Sequence, residues 1–428
     1  MPRKMKESGV EWLGQIPERW DCLPARCVFR EVKDKNVSGE ETRQLSFRYG
    51  EIVDKRGNDA TKEAEEETIT AYRIVTPNTI MVNGLNLNYD FVTQRVAIVR
   101  KRGIITSAYL AVSANEQMLK TAFALYLLKG YDSKQVFHGH GSGIRKTLKF
   151  EDFKDIKISL PPLPEQERIA AFLDERCAKI DGMIAEAKAS IEDYKKWKQS
   201  IIFEAVTGKH EKNLKPSGVD WIGDVPEGWR VVRLKHVLKS PLQYGASESG
   251  VAFQEDLPRY IRITDITLDG RLKDDAKLSL TEEMTAGYIL RNFDILLARS
   301  GATVGKAFLY KQEYGRSGFA GYLIRASIDE AKMDPCFVYF TMLGAGYEQW
   351  KDSVAVQATI QNIGADKYNN YSMIQPPLPE QRRIAAELDE KCAAIDKLVG
   401  EKESLIADLE AYKKSLIFET VTGKREIA

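Results

Sequence analysis

Residues Pro161–Asp181 read PPLPEQERIAAFLDERCAKID, and residues Pro376–Asp396 read PPLPEQRRIAAELDEKCAAID. The two stretches are identical at 17 of 21 positions, with an offset of 215 in the numbering. The same offset continues without a gap to Phe203–Lys209 (FEAVTGK) and Phe418–Lys424 (FETVTGK). A repeat of this length is too long for a solenoid, so the chain contains one large unit twice.

A second pair of similar segments contains tryptophan. Residues Ser8–Trp20 (SGVEWLGQIPERW) and Ser217–Trp229 (SGVDWIGDVPEGW) are identical at 8 of 13 positions, with an offset of 209. Each repeat therefore has a tryptophan segment, a variable stretch, the proline-rich segment and a long helix, in that order. The variable stretches, which we call the first head and the second head, are Asp21–Leu160 and Arg230–Gln375. One scaffold thus carries two unlike heads.

A long helix follows each proline-rich segment. Pro164 suits the first turn of a helix, and Gly208 suits the position just after its last residue. A helix from about Glu165 to Thr207 would be roughly 64 Å long. Apolar residues recur at alternating spacings of four and three over about four heptads in each repeat, which is typical of a coiled coil. Cys177 and Cys392 lie on this stripe, where we interpret them as small hydrophobic residues.

Neither helix can bury its stripe alone, although Lys198, Lys402 and Lys413 interrupt the stripe. We expect an antiparallel pair with pseudo-two-fold symmetry, which would place the heads at opposite ends. The alternative is two independent helices, each lying on its own domain. Because the N-terminal tryptophan segment resembles the one that follows the first helix, we also expect it to lie beside the C-terminal end of the second helix, which gives a circular order.

The heads have the pattern of mixed α/β domains with one common fold. In the first head, strands are predicted within Asn78–Val82 and Arg95–Val112, with a turn at Lys101–Gly103. In the second head, they are predicted within Phe293–Ala298 and Lys306–Ala326. Ile80 and Ile295 occupy corresponding places in them. The predicted fold class is α+β, with two mixed α/β heads separated by paired helices. The predicted division is 1–160 for the first head with its tryptophan segment, 161–209 for the first helix, 210–375 for a linker with the second head, and 376–428 for the second helix.

Composition excludes several protein classes. The chain has 428 residues, 63 Lys+Arg against 62 Asp+Glu, 43% hydrophobic and 29% charged residues, which is typical of a globular protein. No run of apolar residues is long enough for a membrane span or a signal peptide, so we expect a cytoplasmic location. Five cysteines, an odd number, argue against a disulfide framework. The net charge of +1 does not decide on nucleic-acid binding, which only local clusters could indicate.

Known catalytic motifs are missing from the sequence. Ser300–Lys306 (SGATVGK) resembles a P-loop, but it has three residues between its glycines instead of four, and Ala307 stands where a Mg²⁺-binding Ser or Thr is required. His138 and His140 lack neighbouring Cys or carboxylate ligands, so a loop at a binding surface is favoured over a metal site. We therefore predict no catalytic, cofactor-binding or metal-binding residues in this chain.

Basic and amide side chains form local clusters in the heads. Arg95, Arg100, Lys101 and Arg102 lie within eight residues, and a second cluster precedes the first proline-rich segment. Arg and Lys contact phosphates or guanine, and Asn and Gln can pair with adenine. The alternative interpretation of each of these basic or amide residues is an ordinary solvated side chain on the protein surface. The candidate DNA-binding residues are Asn83, Asn86, Arg102, His140, Arg145 and Lys146 in the first head, and Arg299, Ser300, Lys306, Gln357, Gln361 and Asn362 in the second.

The repeated order of tryptophan segment, variable head, PPLPEQ motif and long helix resembles the specificity subunit of type I restriction–modification systems. The match rests on both tryptophan segments, both PPLPEQxRIA blocks and both VTGK ends, and covers the whole chain. The resemblance implies that each head is a target recognition domain that reads one half of a split sequence in double-stranded DNA. It also implies that the helices set the length of the spacer between the halves.

The same resemblance implies a subunit without a catalytic centre. Its partners would be two methyltransferase subunits that methylate adenine, together with ATP-dependent restriction subunits. S-adenosylmethionine, ATP and Mg²⁺ would then be bound by those partners and not by this chain. The alternative function from the residues alone is a coiled-coil adaptor that joins two protein-binding heads and has no role in nucleic-acid binding.

Overall fold

The computed structural model describes residues 3–55, 69–89, 94–144, 146–267, 270–301, 303–355 and 362–427. The chain divides into two units, which we call unit 1 (Met1–Lys188 with Glu403–Ala428) and unit 2 (Ala189–Lys402). Each unit contains one head and part of both long helices. The four-part division along the sequence stays a prediction.

Unit 1 is built from short strands and the helices that lie on them. Its strands are β1 (Met5–Glu7), β2 (Gln15–Pro17), β3 (Asp21–Pro24), β4 (Phe29–Glu31), β5 (Leu45–Arg48), β6 (Glu51–Asp54), β7 (Arg73–Val75), β8 (Ile80–Val82), β9 (Val96–Ile98), β10 (Gly103–Ile105), β11 (Leu110–Ala114) and β12 (Lys157–Leu160). Its helices are α1 (Thr121–Ser133), α2 (Phe150–Phe153) and the first part of α3 (Leu163–Thr207).

Unit 2 has a similar composition of elements. Its strands are β13 (Leu214–Pro216), β14 (Asp224–Pro226), β15 (Arg230–Arg233), β16 (Gln243–Tyr244), β17 (Val251–Ala252), β18 (Arg259–Ile261), β19 (Leu278–Ser279), β20 (Ile295–Ala298), β21 (Ala307–Leu309), β22 (Ser317–Phe319), β23 (Leu323–Ala326) and β24 (Ser372–Gln375). Its helices are α4 (Pro335–Thr341), α5 (Ala345–Ala355), α6 (Ala365–Asn369) and the first part of α7 (Leu378–Val421). The last part of α3 also belongs to unit 2, and the last part of α7 belongs to unit 1.

The central sheet has the same strand order in both heads. The order is β4-β11-β8-β9 in unit 1 and β16-β23-β20-β21 in unit 2, with antiparallel pairing throughout. Ile80 begins β8 and pairs with both neighbouring strands, as Ile295 does at the start of β20. The prediction that the two heads share one fold is therefore confirmed.

The strands around the central sheet differ between the heads. In unit 1, β9 pairs with β8 whereas β10 pairs with β7, so the predicted turn at Lys101–Gly103 does not close a hairpin between its own flanking strands. In unit 2, a second sheet of order β17-β19-β18-β22 includes the parallel pair β18–β22. The common sheet thus carries different additions, as expected for heads that have diverged.

We call α3 and α7 the first and the second long helix. Each is a single continuous helix over its heptad stripe, as the sequence predicted. The glycines that follow them, Gly208 and Gly423, have φ angles of 67° and 73°. Glycine adopts this left-handed conformation without steric cost, which is why it ends helices. No helix within the described parts of the chain is long and apolar enough to cross a membrane.

The two long helices pack together in each unit. In unit 1, Leu173 near the start of the first long helix shares an apolar core with Leu416 near the end of the second. In unit 2, Ile202 near the end of the first long helix shares a core with Leu388 near the start of the second. The N-terminal part of each helix therefore meets the C-terminal part of the other. This confirms the antiparallel pair and contradicts the alternative of two independent helices.

Two of the lysines that interrupt the stripe form ion pairs between the helices. Lys198 Nζ lies 2.7 Å from the Asp396 carboxylate in unit 2, and Lys413 Nζ lies 2.6 Å from the Asp181 carboxylate in unit 1. The repeat offset relates Lys198 to Lys413 and Asp181 to Asp396. The two pairs are therefore copies of one contact, and each lysine finds its partner on the opposite helix.

The glutamate of each PPLPEQ motif holds the tryptophan of its own unit. The indole N–H of Trp20, which is fully buried, donates to Glu165 Oε2 at 3.0 Å. The indole N–H of Trp229 donates to Glu380 Oε2 at 3.1 Å. The guanidinium of Arg3 stacks on Trp20 and pairs with Glu165, which adds a charge to the contact in unit 1.

The glutamine of each motif fixes the head on the long helix. Gln166 and Gln381 are fully buried, and their amides donate to the carbonyl of the first proline of the motif at 2.8 and 2.7 Å. Their amide oxygens each accept a backbone N–H, from Lys120 before α1 and from Asp334 before α4, both at 2.8 Å. The repeated motif thus forms one joint twice, and the joint positions a head helix relative to the long helix.

The tryptophan segments lie against the ends of the long helices. A Cβ atom at Gly423 would overlap Pro17 and approach the Trp20 ring, and a Cβ atom at Gly208 would meet Pro226 and the Trp229 ring. The N-terminal segment therefore packs on the C-terminal end of the second long helix within unit 1. This confirms the predicted circular order of segments.

Candidate nucleic-acid interface

In the first head, two loops distant in sequence are tied together by backbone hydrogen bonds. We call residues 83–89, which follow β8, and residues 138–148, which precede α2, loop pair 1. The N–H of Leu148 donates to the carbonyl of Gly84 at 2.9 Å, and the N–H of Leu87 donates to the carbonyl of Lys146 at 3.0 Å. A Cβ atom at Gly84 would overlap Leu148, so the close approach requires glycine there.

The second head has the corresponding arrangement. We call residues 299–306, which follow β20, and residues 362–364, which precede α6, loop pair 2. The N–H of Ile363 donates to the carbonyl of Arg299 at 2.9 Å, and Ser300 pairs with Asn362 in an isolated antiparallel bridge. The repeat offset relates Leu148 to Ile363 and Gly84 to Arg299, so the two bonds are equivalent. The two heads therefore present the same backbone contact with different side chains.

Loop pair 1 brings together four of the residues proposed for the first head. Asn86, His140 and Lys146 are exposed. Asn83 is partly exposed, and its side-chain oxygen accepts the N–H of Leu85 at 3.2 Å. Among the described residues, no carboxylate pairs with Lys146. Arg145 lies outside the described residues. The DNA contacts of all five residues stay predictions.

Arg102 is not part of this group. It lies in the turn between β9 and β10, where its Nε donates to Glu41 Oε2 at 2.9 Å. The neighbouring Lys101 lies 3.3 Å from Asp54, so acidic side chains accompany both cations. Arg95 is only 1% exposed, and its guanidinium donates to the carbonyls of Asn83 and Leu85 at 2.9 Å. The interpretation of Arg95 as part of a basic surface cluster is therefore wrong.

Loop pair 2 brings together four of the residues proposed for the second head: Arg299, Ser300, Lys306 and Asn362. The side chain of Arg299 donates from Nε to Asn362 Oδ1 at 3.4 Å. Gln357 and Gln361 lie outside the described residues. The DNA contacts of all six residues stay predictions.

Two exposed tyrosines beside loop pair 2 were missed in the sequence. Tyr244 is 41% exposed, and its ring lies 5.1 Å from the centre of the Arg299 guanidinium. Tyr322 is 62% exposed, and its carbonyl accepts the N–H of Arg299 at 2.9 Å. Each tyrosine is adjacent to a glycine at a close backbone approach, Gly245 or Gly321. An aromatic residue beside such a glycine was the only local signal for them.

The segment that resembles a P-loop has a different structure. Ser300–Lys306, of which residue 302 is not described, leads into strand β21 and not into a helix. A phosphate-binding loop requires the N-terminus of a helix after it. His138 is partly buried and His140 is exposed. Within the described residues, no group of three or more His, Cys, Asp or Glu side chains is placed to hold a metal ion.

Comparison with known proteins identifies a family. A family model described as the type I restriction modification DNA specificity domain matches residues 45–193 and 226–405, one range for each head. The type I restriction enzyme MjaVIII specificity subunit of Methanocaldococcus jannaschii is 24% identical over 430 residues, which cover 96% of this chain and 94% of that protein. The EcoBI specificity subunit of Escherichia coli is 22% identical over 325 residues, which cover 73% and 67%.

A solved structure, described as the structural basis of complex assembly and conformational transition of the type I R-M system, superposes with a TM-score of 0.67. It is 17% identical in sequence and covers 96% of this chain and 99% of that one, which shows a shared fold. The repeat, the paired helices and the two family matches lead to one conclusion: the chain belongs to the family of type I restriction–modification DNA specificity domains and carries two copies.

Proposed function

We propose that this chain is the DNA sequence-specificity subunit of a type I restriction–modification complex, in which each head reads one half of a bipartite target. One observation carries the proposal: the same loop-to-loop backbone bond presents unlike side chains in the two heads. When two heads share one backbone scaffold but carry different side chains on it, they are suited to recognise different DNA sequences. The relatives, which are named specificity subunits, support this role and give no support to the protein adaptor.

The side chains of the two loop pairs have the chemistry of base and phosphate recognition. Loop pair 1 offers amides, an imidazole and a lysine, whereas loop pair 2 offers an arginine, a lysine, a hydroxyl, an amide and neighbouring tyrosines. Amides can pair bidentately with adenine, and arginine can do so with guanine. Lysine contacts phosphates and makes affinity dependent on salt. We therefore expect two half-sites of different sequence.

We infer that catalysis is supplied by other chains. In this proposal two methyltransferase subunits dock on the long helices and methylate adenine, which requires the base to be flipped out of the duplex. Restriction subunits join that core, and the whole complex acts in the cytoplasm. S-adenosylmethionine, ATP and Mg²⁺ are then bound by the partner subunits. The course of Ser300–Lys306 into a strand supports this division of labour for ATP.

Exchange of one head tests the proposal. The complex of this chain with its methyltransferase subunits is used to methylate genomic DNA, and the modified adenines are mapped by single-molecule sequencing. Replacement of Asp21–Leu160 by the corresponding stretch of another family member is expected to change one half-site only. The PPLPEQ motifs lie outside the exchanged stretch, and the half-site of the unexchanged second head is the internal control. A change in both half-sites would contradict the proposal.

Incubation of the isolated chain with labelled S-adenosylmethionine and DNA tests the absence of catalysis. We expect no methyl transfer until the methyltransferase subunits are added. Transfer by the chain alone would show that it is an enzyme in its own right.

A further inference from the structure

Arg299 is a partly exposed cation of loop pair 2 whose backbone is held on both sides. Its N–H donates to the carbonyl of Tyr322 and its carbonyl accepts the N–H of Ile363, both at 2.9 Å. It directly follows the buried strand β20, whose residues lie in the centre of the four-stranded sheet. The start of its side chain is therefore fixed by the core of the head.

The guanidinium of Arg299 is oriented as well. Its Nε donates to Asn362 Oδ1 at 3.4 Å, and its carbon lies 5.1 Å from the centre of the Tyr244 ring. The Tyr244 hydroxyl accepts the N–H of Ala365 at 3.1 Å, which holds the ring in place. No ion pair to Arg299 occurs among the described residues. The Asn362 contact and the Tyr244 ring thus restrict the plane and the direction of the two terminal nitrogens of Arg299.

This geometry fits one base better than the others. Guanine presents two acceptors, N7 and O6, side by side in the major groove, and a guanidinium fork can donate to both at once. An arginine can also pair with a phosphate through both terminal nitrogens, but phosphate oxygens accept from a guanidinium in several orientations. Guanine N7 and O6 lie in the plane of one base and need a fork held in that plane. Preorganisation of the fork therefore indicates base reading in place of backbone positioning.

We propose that Arg299 reads a guanine in the half-site of the second head, with Tyr244 and Asn362 as positioning residues. The proposal rests on the function proposed above and adds a base and a residue to it. Arg299→Lys keeps the charge and removes the fork, so the half-site of the second head is expected to become degenerate at one G·C pair. A good bidentate contact corresponds to about 5- to 150-fold discrimination, which the variant should lose.

The test uses the complex with its methyltransferase subunits and maps modified adenines on genomic DNA for each variant. Arg291→Lys is the matched control, because Arg291 is an exposed arginine just before the other end of β20. Tyr244→Phe keeps the ring under Arg299 but loses the hydroxyl contact with Ala365, so it should reduce discrimination less than Tyr244→Leu, which removes the ring itself. Thermal unfolding of every variant, expected to match the unmodified chain, separates loss of reading from loss of folding.

Each outcome has a defined meaning. If the unmodified complex recognises no bipartite site, the proposed function fails and this inference fails with it. If it does recognise one, but the second half-site has no G·C pair, or Arg299→Lys leaves the motif unchanged, only this inference is overturned. A uniform loss of methylation at all sites without a change in unfolding would also overturn it, since that result indicates a phosphate contact.

Discussion

Arg95 illustrates, at the scale of single residues, how a buried charged side chain can hold an exposed loop in place. It is buried in the first head and donates to the carbonyls of Asn83 and Leu85, which lie on loop pair 1. Its backbone N–H donates to Asp132 at the end of α1 at 2.8 Å. Arg95 therefore connects the loop that carries Asn83 and Asn86 to the core.

We predict that Arg95→Met destabilises the first head. Loss of the guanidinium leaves two carbonyls without their donors, which costs about 1–3 kcal/mol of unfolding free energy. Urea unfolding of the full chain, followed by circular dichroism, measures the loss. Arg100→Met, at a nearby exposed position, is the control and should leave stability nearly unchanged. Equal effects of the two variants would contradict the assigned role.

At the scale of elements, the seam between the long helices combines apolar packing with two equivalent ion pairs. A polar residue on such a seam usually reduces stability but specifies the register. The Lys198 and Asp396 side chains are 22% and 34% exposed, against 28% and 57% for Lys413 and Asp181. Because water screens exposed charges, the pair in unit 2 should contribute more to stability than the pair in unit 1.

Double-mutant cycles test whether the ion pair of unit 2 stabilises the chain more than the ion pair of unit 1. The variants Lys198→Met and Asp396→Asn, alone and together, are compared with Lys413→Met and Asp181→Asn. We expect coupling energies of about 0.2–1 kcal/mol, with the larger value for Lys198 and Asp396. Urea unfolding of the full chain gives the four stabilities of each cycle. The absence of coupling in both cycles would contradict a stabilising contribution of the two ion pairs.

Thiol chemistry provides a second test of the seam. Burial raises the pKa of the Cys177 thiol and raises that of Cys392 to about 11, whereas Cys27 is exposed. A raised thiol pKa keeps the group protonated and unreactive, since only the thiolate attacks. At about pH 8, a disulfide reagent should therefore label Cys27 rapidly and the two seam cysteines only after unfolding. Cys27→Ser should remove the fast phase, and fast labelling of Cys177 would contradict a closed seam.

At the scale of the whole molecule, two repeated joints hold two variable heads on one helical scaffold. Each long helix is continuous from one unit into the other. In the proposed function, the length of the helices therefore sets the length of the spacer between the half-sites. Insertion of one heptad into both helices, after Lys188 and after Lys402, adds about 10 Å to each helix and preserves the register of the seam.

We predict that this double insertion changes the spacer and leaves both half-sites intact, as read from the modified adenines. Insertion into one helix alone is the control, because it offsets the two copies of the ion pair and should destabilise the chain. An unchanged spacer after the double insertion would contradict the role of the helices in setting it.

Most of the scaffold could be predicted from the sequence, whereas the candidate interface could be predicted only in part. The offset of 215 and the heptad stripe predicted the helices, their pairing and the equivalence of Ile80 and Ile295. Residues chosen for their chemistry and loop position, such as Lys146 and Arg299, do lie on the loop pairs, although their DNA contacts stay predictions. Arg102 was grouped with them by charge, but it lies beside Glu41.

The sequence by itself determined the duplication, the antiparallel helices and the circular order of segments, because periodic and repeated patterns directly specify which surfaces must be buried together. Only the tertiary structure decided which head residues come together at one place. The bonds from Leu148 to Gly84 and from Ile363 to Arg299 each join loops that are far apart in the sequence. No local pattern encodes such a contact, since it depends on how the whole sheet packs.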